Sequence, residues 1–294
     1  MPHLFKQNKD APGFYETPEK KLYRMARFHY NGRKTELSGF SSWTASLHLV
    51  LCYARQMPSD QQPHVAVIDT ENLEGEVLIW HSPDLGSFAQ DHEYLAYGTI
   101  RGAGYRAISF QDLEIHGVFR ILPEIQDSNS VRDVYGRKLR RDIFARRMVY
   151  PAQEETATAE KLAQIFGRSL FLPIYIALLC LRSRPWYTTK ISGICDDKQI
   201  IRQLTRVLGK LELTSTLAQL VGQKWLEVGT VRTSLLDVRQ WVGLLSALVS
   251  EENHRQVASR TKESGIKRKR CAEDSDSPSG VRRFAVAINA VINF

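Results

Sequence analysis

The stretch that most constrains this chain is residues 40–54, FSSWTASLHLVLCYA, where a short hydroxyl-rich strand runs directly into an amphipathic helix. Ser41, Ser42, Thr44 and Ser46 crowd the junction, and Leu47, Val50, Leu51 and Ala54 then repeat at helical spacing. The first turn of a helix presents N–H groups with no partner inside the helix, so hydroxyls or an anion belong there. Two readings stand side by side. The hydroxyls are ordinary N-caps, or they form a seat for a polar or anionic ligand.

Composition narrows the class. A chain of 294 residues with 43% hydrophobic content is long enough to bury a sizeable core, as one large domain or two modest ones. The net charge of +8 favours acidic partners, and it is unevenly spread: seven basic residues fall between Arg132 and Arg147 against Asp133 and Asp142. That basic stretch reads as a phosphate or nucleic-acid surface or as a solvated face. Cys52, Cys180, Cys195 and Cys271 show no metal-ligand spacing and read as free thiols in a reducing, intracellular compartment, with no metal expected. The N-terminal residues carry no signal-peptide core. The longest apolar run, residues 170–181, is shorter than the roughly 20 residues needed to span a bilayer, so no membrane partner is expected.

Taken in order, residues 1–20 read as a flexible arm and 21–125 as an α+β domain. In that domain KLYRMARF alternates Leu22, Arg24, Ala26 and Phe28 with Tyr23, Met25 and Arg27, which predicts a first strand that turns Arg24 toward an apolar face. Residues 64–69 (HVAVID) and 77–80 predict two further strands. Asp69 at a strand end is a turn cap or a catalytic carboxylate. Residues 92–98, HEYLAYG, place Glu93 at the head of an aromatic strand and on the side of Leu95 and Tyr97. A carboxylate on a packed face needs a partner, either Arg24 or a ligand. Residues 105–110 predict another strand after the RGAG turn. Residues 126–153 form a basic linker or helix, and 154–258 read as helices, with one long helix over 154–182 kinked at Pro173. Residues 259–294 form a basic, largely disordered tail. Within it Lys267, Arg268, Lys269 and Arg270 have the composition of a nuclear-import signal, and FAVAINAVINF is apolar enough to fold back as a strand or short helix.

Arg24 on a first strand, the Ser/Thr strand before a helix and Glu93 heading a later strand occur in an order that resembles the ADP-ribosyltransferase fold. There an arginine or histidine, a serine-threonine-serine strand and a glutamate line an NAD cleft. Residues 20–123 are also similar to an uncharacterised fungal domain family with comparable "SWTSSL…YA", "viDT" and "EYL.yG" segments. The resemblance implies a split β-sheet α+β domain followed by a mostly helical region. It also implies NAD as substrate and an activity of mono-ADP-ribosyltransferase or NAD glycohydrolase type, with a protein acceptor in the first case. Glu93 would be catalytic, Arg24 would hold pyrophosphate or ribose, and Ser41, Ser42 and Thr44 would line the cofactor. Asp91 stands where the toxin branch of that fold has glutamate or glutamine, and Trp43 sits where the nicotinamide ribose needs room. The alternative reading is a catalytically inactive relative, an interaction module with a nuclear address.

Overall fold

A computed structural model describes residues 16–30, 39–70, 72–75, 77–85, 92–131, 136–186, 197–210, 217, 220, 235–266 and 286–291. The first described element is a helix, α1 (Glu19–Tyr30), rather than the strand the alternation predicts. The same residues carry a helical period: Leu22, Met25, Ala26 and His29 fall on one face, and Met25 and Ala26 are buried by it. Glu19 in the first turn and the run of Lys, Leu, Arg, Met and Ala add helix propensity, which outweighs a short alternating pattern.

β1 (Phe40–Thr44) and α2 (Leu47–Gln56) follow at the hydroxyl-rich junction. Next come β2 (His64–Asp69), β3 (Leu78–His81), β4 (Glu93–Tyr97) and β5 (Tyr105–Ser109). The helices are α3 (Phe110–Ile115), α4 (Val118–Ile121), α5 (Arg137–Ala145), α6 (Gln153–Ile165), α7 (Arg168–Leu179), α8 (Lys198–Lys210) and α9 (Leu236–Ile266). The helix expected over 154–182 is broken at Gly167, whose φ of 92° few other residues adopt, while Pro173 lies inside α7. The final described element is β6 (Val286–Val291), the fold-back expected of that apolar segment.

The architecture is α+β. One antiparallel ladder joins β3, β4 and β1, and another joins β2 and β5. β6 stands between them, giving the order β3-β4-β1-β6-β2-β5. β6 pairs along its length with β2, from His64↔Val291 to Asp69↔Val286, and meets β1 at Thr44↔Ile288.

Packing is continuous across the boundary expected near residue 125. One continuous core runs from Ala45 and Leu47 through Leu162 and Tyr175 to Leu248 and Val249, because α6, α7 and α9 pack onto the helix-covered face of the sheet. Trp241 of α9 donates its indole N–H to Ala45 O at 3.2 Å, and β6 lies inside the sheet itself. The reading of 259–294 as largely disordered is corrected at both ends, since α9 extends to Ile266 and residues 286–291 form a central strand. The Lys267–Arg270 cluster lies outside the described residues.

Candidate functional site

Strand alternation sorts the hydroxyls of β1. Phe40, Ser42 and Thr44 face one side of the sheet, and Ser41 and Trp43 face the other. Antiparallel pairing then sets Thr44 opposite Glu93, Ser42 opposite Leu95 and Phe40 opposite Tyr97, so Ser42 and Glu93 share a face. α1 covers the apolar part of that face, packing Met25 and Ala26 against Phe40, Leu95 and Tyr97. Where this small core ends, three polar side chains meet. Ser42 donates its hydroxyl to Glu93 Oε1 at 2.8 Å, and His29 Nε2 lies 3.1 Å from Ser42 Oγ. Ser42 has one proton and gives it to the carboxylate, so the imidazole is the donor in the second bond.

The protonation states follow from the surroundings. Burial holds His29 down to about 4, so its ring is neutral at neutral pH. Burial raises Glu93, and the Ser42 hydrogen bond works against that rise. Glu93 is half-buried. The arrangement is a carboxylate steadied by a hydroxyl, which is steadied in turn by an uncharged imidazole.

The other expected site residues are placed differently. Arg24 is not turned toward Glu93; on α1 it is exposed, on the face away from Met25 and Ala26, because the helical period replaces the strand period. Ser41 lies on the opposite face from Glu93, where it accepts the Trp43 indole N–H at 2.8 Å and donates to Ala96 O at 3.4 Å. Trp43 points the same way, into a cluster with Ala66, Ile68 and Ala96, so its ring does not occupy the space beside Glu93. Thr44 shares the face of Glu93 but is buried, and its hydroxyl oxygen accepts the Ser46 N–H at 3.2 Å. Asp69 closes a turn, accepting from the Asn72 side chain at 2.6 Å. Asp91 is outside the described residues.

The start of α2 has its own occupant. Ser46 caps the helix by accepting the Leu49 N–H at 3.0 Å and donates to Asp237 Oδ2 at 2.7 Å. That oxygen also accepts the His48 N–H at 3.4 Å. The anion that a helix N-terminus invites is therefore supplied by the first turn of α9. Asp237 is 2% exposed. Its carboxyl is pushed up by burial, against the pull of Ser46, the His48 backbone and the Arg140 charge. Behind it His48 is fully buried, and burial holds it down to about 3. His48 Nδ1 lies 3.6 Å from Cys52 Sγ.

His29 and Asp237 are the two residues that sequence reasoning missed. His29 follows Met25 by four positions, a signal visible once 19–30 is read as a helix. Asp237 opens an apolar helix between Leu236 and Val238, where an acid ordinarily serves its own N-terminus; nothing local couples it to Ser46.

Elsewhere, α5 carries exposed Arg137, Lys138 and Arg141, whereas Arg146 and Arg182 both pair with Glu124, at 2.6 and 2.7 Å. Among the described residues no group of His, Cys, Asp and Glu could hold a metal, and no helix is long and apolar enough to cross a membrane. Cys52 and Cys180 are buried free thiols. The chain is thus an α+β protein with a half-buried Glu–Ser–His constellation at a strand pair. Comparison with known families, curated proteins and solved structures finds no match.

Proposed function

We propose that this chain binds NAD at Glu93 and cleaves its nicotinamide–ribose bond, as an NAD glycohydrolase or as a mono-ADP-ribosyltransferase that passes ADP-ribose to a protein acceptor. The observation that carries the reading is the Ser42–Glu93 hydrogen bond between adjacent antiparallel strands, which steadies a half-buried carboxylate. The ADP-ribosyltransferase-like fold belongs to the same proposal, with His29 in the part first assigned to Arg24.

In this reaction the bond from ribose C1′ to the pyridinium nitrogen breaks, and its electron pair leaves with neutral nicotinamide. Water or an acceptor nucleophile then bonds to C1′ and gives up a proton. Positive charge builds on the ribose between these events. Glu93 accepts a hydrogen bond from the ribose 2′-hydroxyl and stabilises that charge. Ser42 holds the carboxylate in place. The neutral state of His29 is part of the fit, since an imidazolium here would oppose the developing cation.

The test is nicotinamide release from NAD by the intact protein and by Glu93→Gln, with thermal melts to confirm folding. Removing one such electrostatic stabiliser is expected to slow release about 100- to 1000-fold. Full release by the variant removes Glu93 from the chemistry. No release by the wild-type chain, with no NAD-dependent rise in Tm, leaves the fold as an interaction module.

A further inference from the structure

Six large apolar or aromatic side chains are strongly exposed among the described residues, and three of them are consecutive: Met148, Val149 and Tyr150, at 44%, 49% and 45%. Single exposed apolar residues are ordinary, whereas a contiguous group beside polar neighbours marks a place where something docks. The group lies on the connection that leaves α5 at Arg146 and enters α6 at Gln153.

This connection is pinned from below. Arg184, 0% exposed, donates Nη1 to Val149 O at 3.2 Å and Nε to Leu179 O at 2.7 Å, and its Nη2 pairs with Glu155. The Val149 N–H is donated to Ser183 O at 3.5 Å. Tyr150 holds its ring 6.2 Å from that of Trp186 and donates its hydroxyl to Asp197. A buried guanidinium is costly unless it is paired and hydrogen-bonded. Here its bonds fix the backbone of a segment whose apolar side chains stay exposed.

Asp197 joins the apolar group to α8. Its other carboxylate oxygen caps the helix, accepting the Gln199 and Ile200 N–H groups at 2.9 and 3.3 Å, so α8 starts beside Tyr150. α8 buries Ile200, Leu204 and Leu208 and exposes Lys198, Arg202 and Arg206. These three cations recur every four residues, about 6 Å of rise apiece, in a helix that contains no acidic residue. Arg147, exposed immediately before Met148, adds a fourth. A solvated basic face needs no apolar group held against it.

We propose that the α5–α6 connection and the basic face of α8 form a docking surface for single-stranded nucleic acid, with phosphates on Lys198, Arg202 and Arg206 and bases against Tyr150 and Met148. Charge complementarity calls for a polyanion, and the row of cations runs in a line, as the phosphates of an extended strand do. The apolar group narrows the choice. A duplex keeps its base faces stacked inside and an inorganic polyphosphate has none, whereas a single strand lays unpaired bases on an aromatic and apolar platform beside its phosphate track. This assignment is independent of the chemistry proposed at Glu93.

The test is fluorescence anisotropy of the full-length chain with a labelled single-stranded RNA of about 20 mixed nucleotides. Three or four phosphate contacts predict an affinity that falls about 20- to 50-fold between about 50 and 200 mM salt. Arg202→Gln combined with Arg206→Gln is expected to reduce the log–log salt slope by about 1.4. Tyr150→Leu is expected to weaken binding about fivefold or more without changing that slope. Thermal melts check folding, and Met148→Ser, at an exposed position, reads the platform if Tyr150→Leu does not fold. The proposal is overturned by absence of binding at about 50 mM salt, or by wild-type affinity and slope in the arginine double variant. It is equally overturned if inorganic polyphosphate competes as well as unlabelled RNA and the platform variants bind like wild type. Tighter binding of a labelled glutamate–leucine peptide than of the RNA also overturns it and makes the surface one for an acidic protein.

Discussion

Two serine–carboxylate pairs flank the junction of β1 and α2, four residues apart, and they differ in almost everything except chemistry. Ser42 donates to Glu93 at 2.8 Å, and Ser46 donates to Asp237 at 2.7 Å. Glu93 is half-buried and receives its support from side chains, Ser42 and behind it His29. Asp237 is sealed and receives a backbone N–H at the positive end of a helix as well. A sealed pair joins distant parts of a fold. A half-buried pair holds a carboxylate in a fixed orientation while leaving it reachable. The difference teaches that the hydroxyl density of residues 40–54 serves two tasks, a structural one at the helix start and, as proposed, a chemical one on the strand.

Breaking the sealed pair has the largest expected effect on stability. Asp237→Ala leaves the Ser46 hydroxyl and the His48 N–H buried without their acceptor and is expected to cost about 3 kcal/mol in a denaturant melt. A loss below about 0.5 kcal/mol would show that Asp237 does not anchor α9 to β1.

Acid is expected to act next, through His48. Folding keeps this ring neutral, so the unfolded chain takes up the proton first. The contribution is fully present above the ordinary value of 6.5 and is lost as pH falls toward the folded value of about 3. At about 1.4 kcal/mol per pKa unit, the fall from pH 7 to pH 5 removes about 2 kcal/mol. His48→Leu is expected to flatten the stability–pH curve by that amount relative to wild type, and an unchanged slope would remove His48 as the cause.

The smallest effect sharpens the half-buried side. Ser42→Ala is expected to cost about 1 kcal/mol, since water takes over part of the lost bonding. It is also expected to raise the Glu93 pKa further, because the Ser42 bond is what opposes the effect of burial. A carbon-detected titration of Glu93 that moves downward instead would contradict the Ser42–Glu93 bond.

Legibility in the sequence tracked the range of the interactions. β1, α2, β2 and β4 were readable because their periods and caps lie within a few residues of each other. The strand misreading at 21–28 arose because eight residues fit periods of 2 and 3.6 about equally, and the choice is made by Phe40, Leu95 and Tyr97, which α1 covers. With the helix comes the exchange of Arg24 for His29 at Ser42. Of the candidate site, Ser42 and Glu93 are brought together, whereas Ser41, also expected to line the cofactor, lies on the opposite face, as the alternation of β1 requires. The large core shared by the sheet and the later helices was hidden for a similar reason. Asp237 meets Ser46 across 191 positions, and β6 joins β1 and β2 from more than 200 positions away, pairings that no local pattern encodes.

The central place of β6 also sets a clock. β5 ends at Ser109 and β6 begins at Val286, so the two ladders leave the ribosome long before the strand that joins them. At about 5–20 residues per second the interval is roughly 10 to 35 s. During it the edges of β1 and β2 that β6 fills in the finished sheet have no strand to pair with.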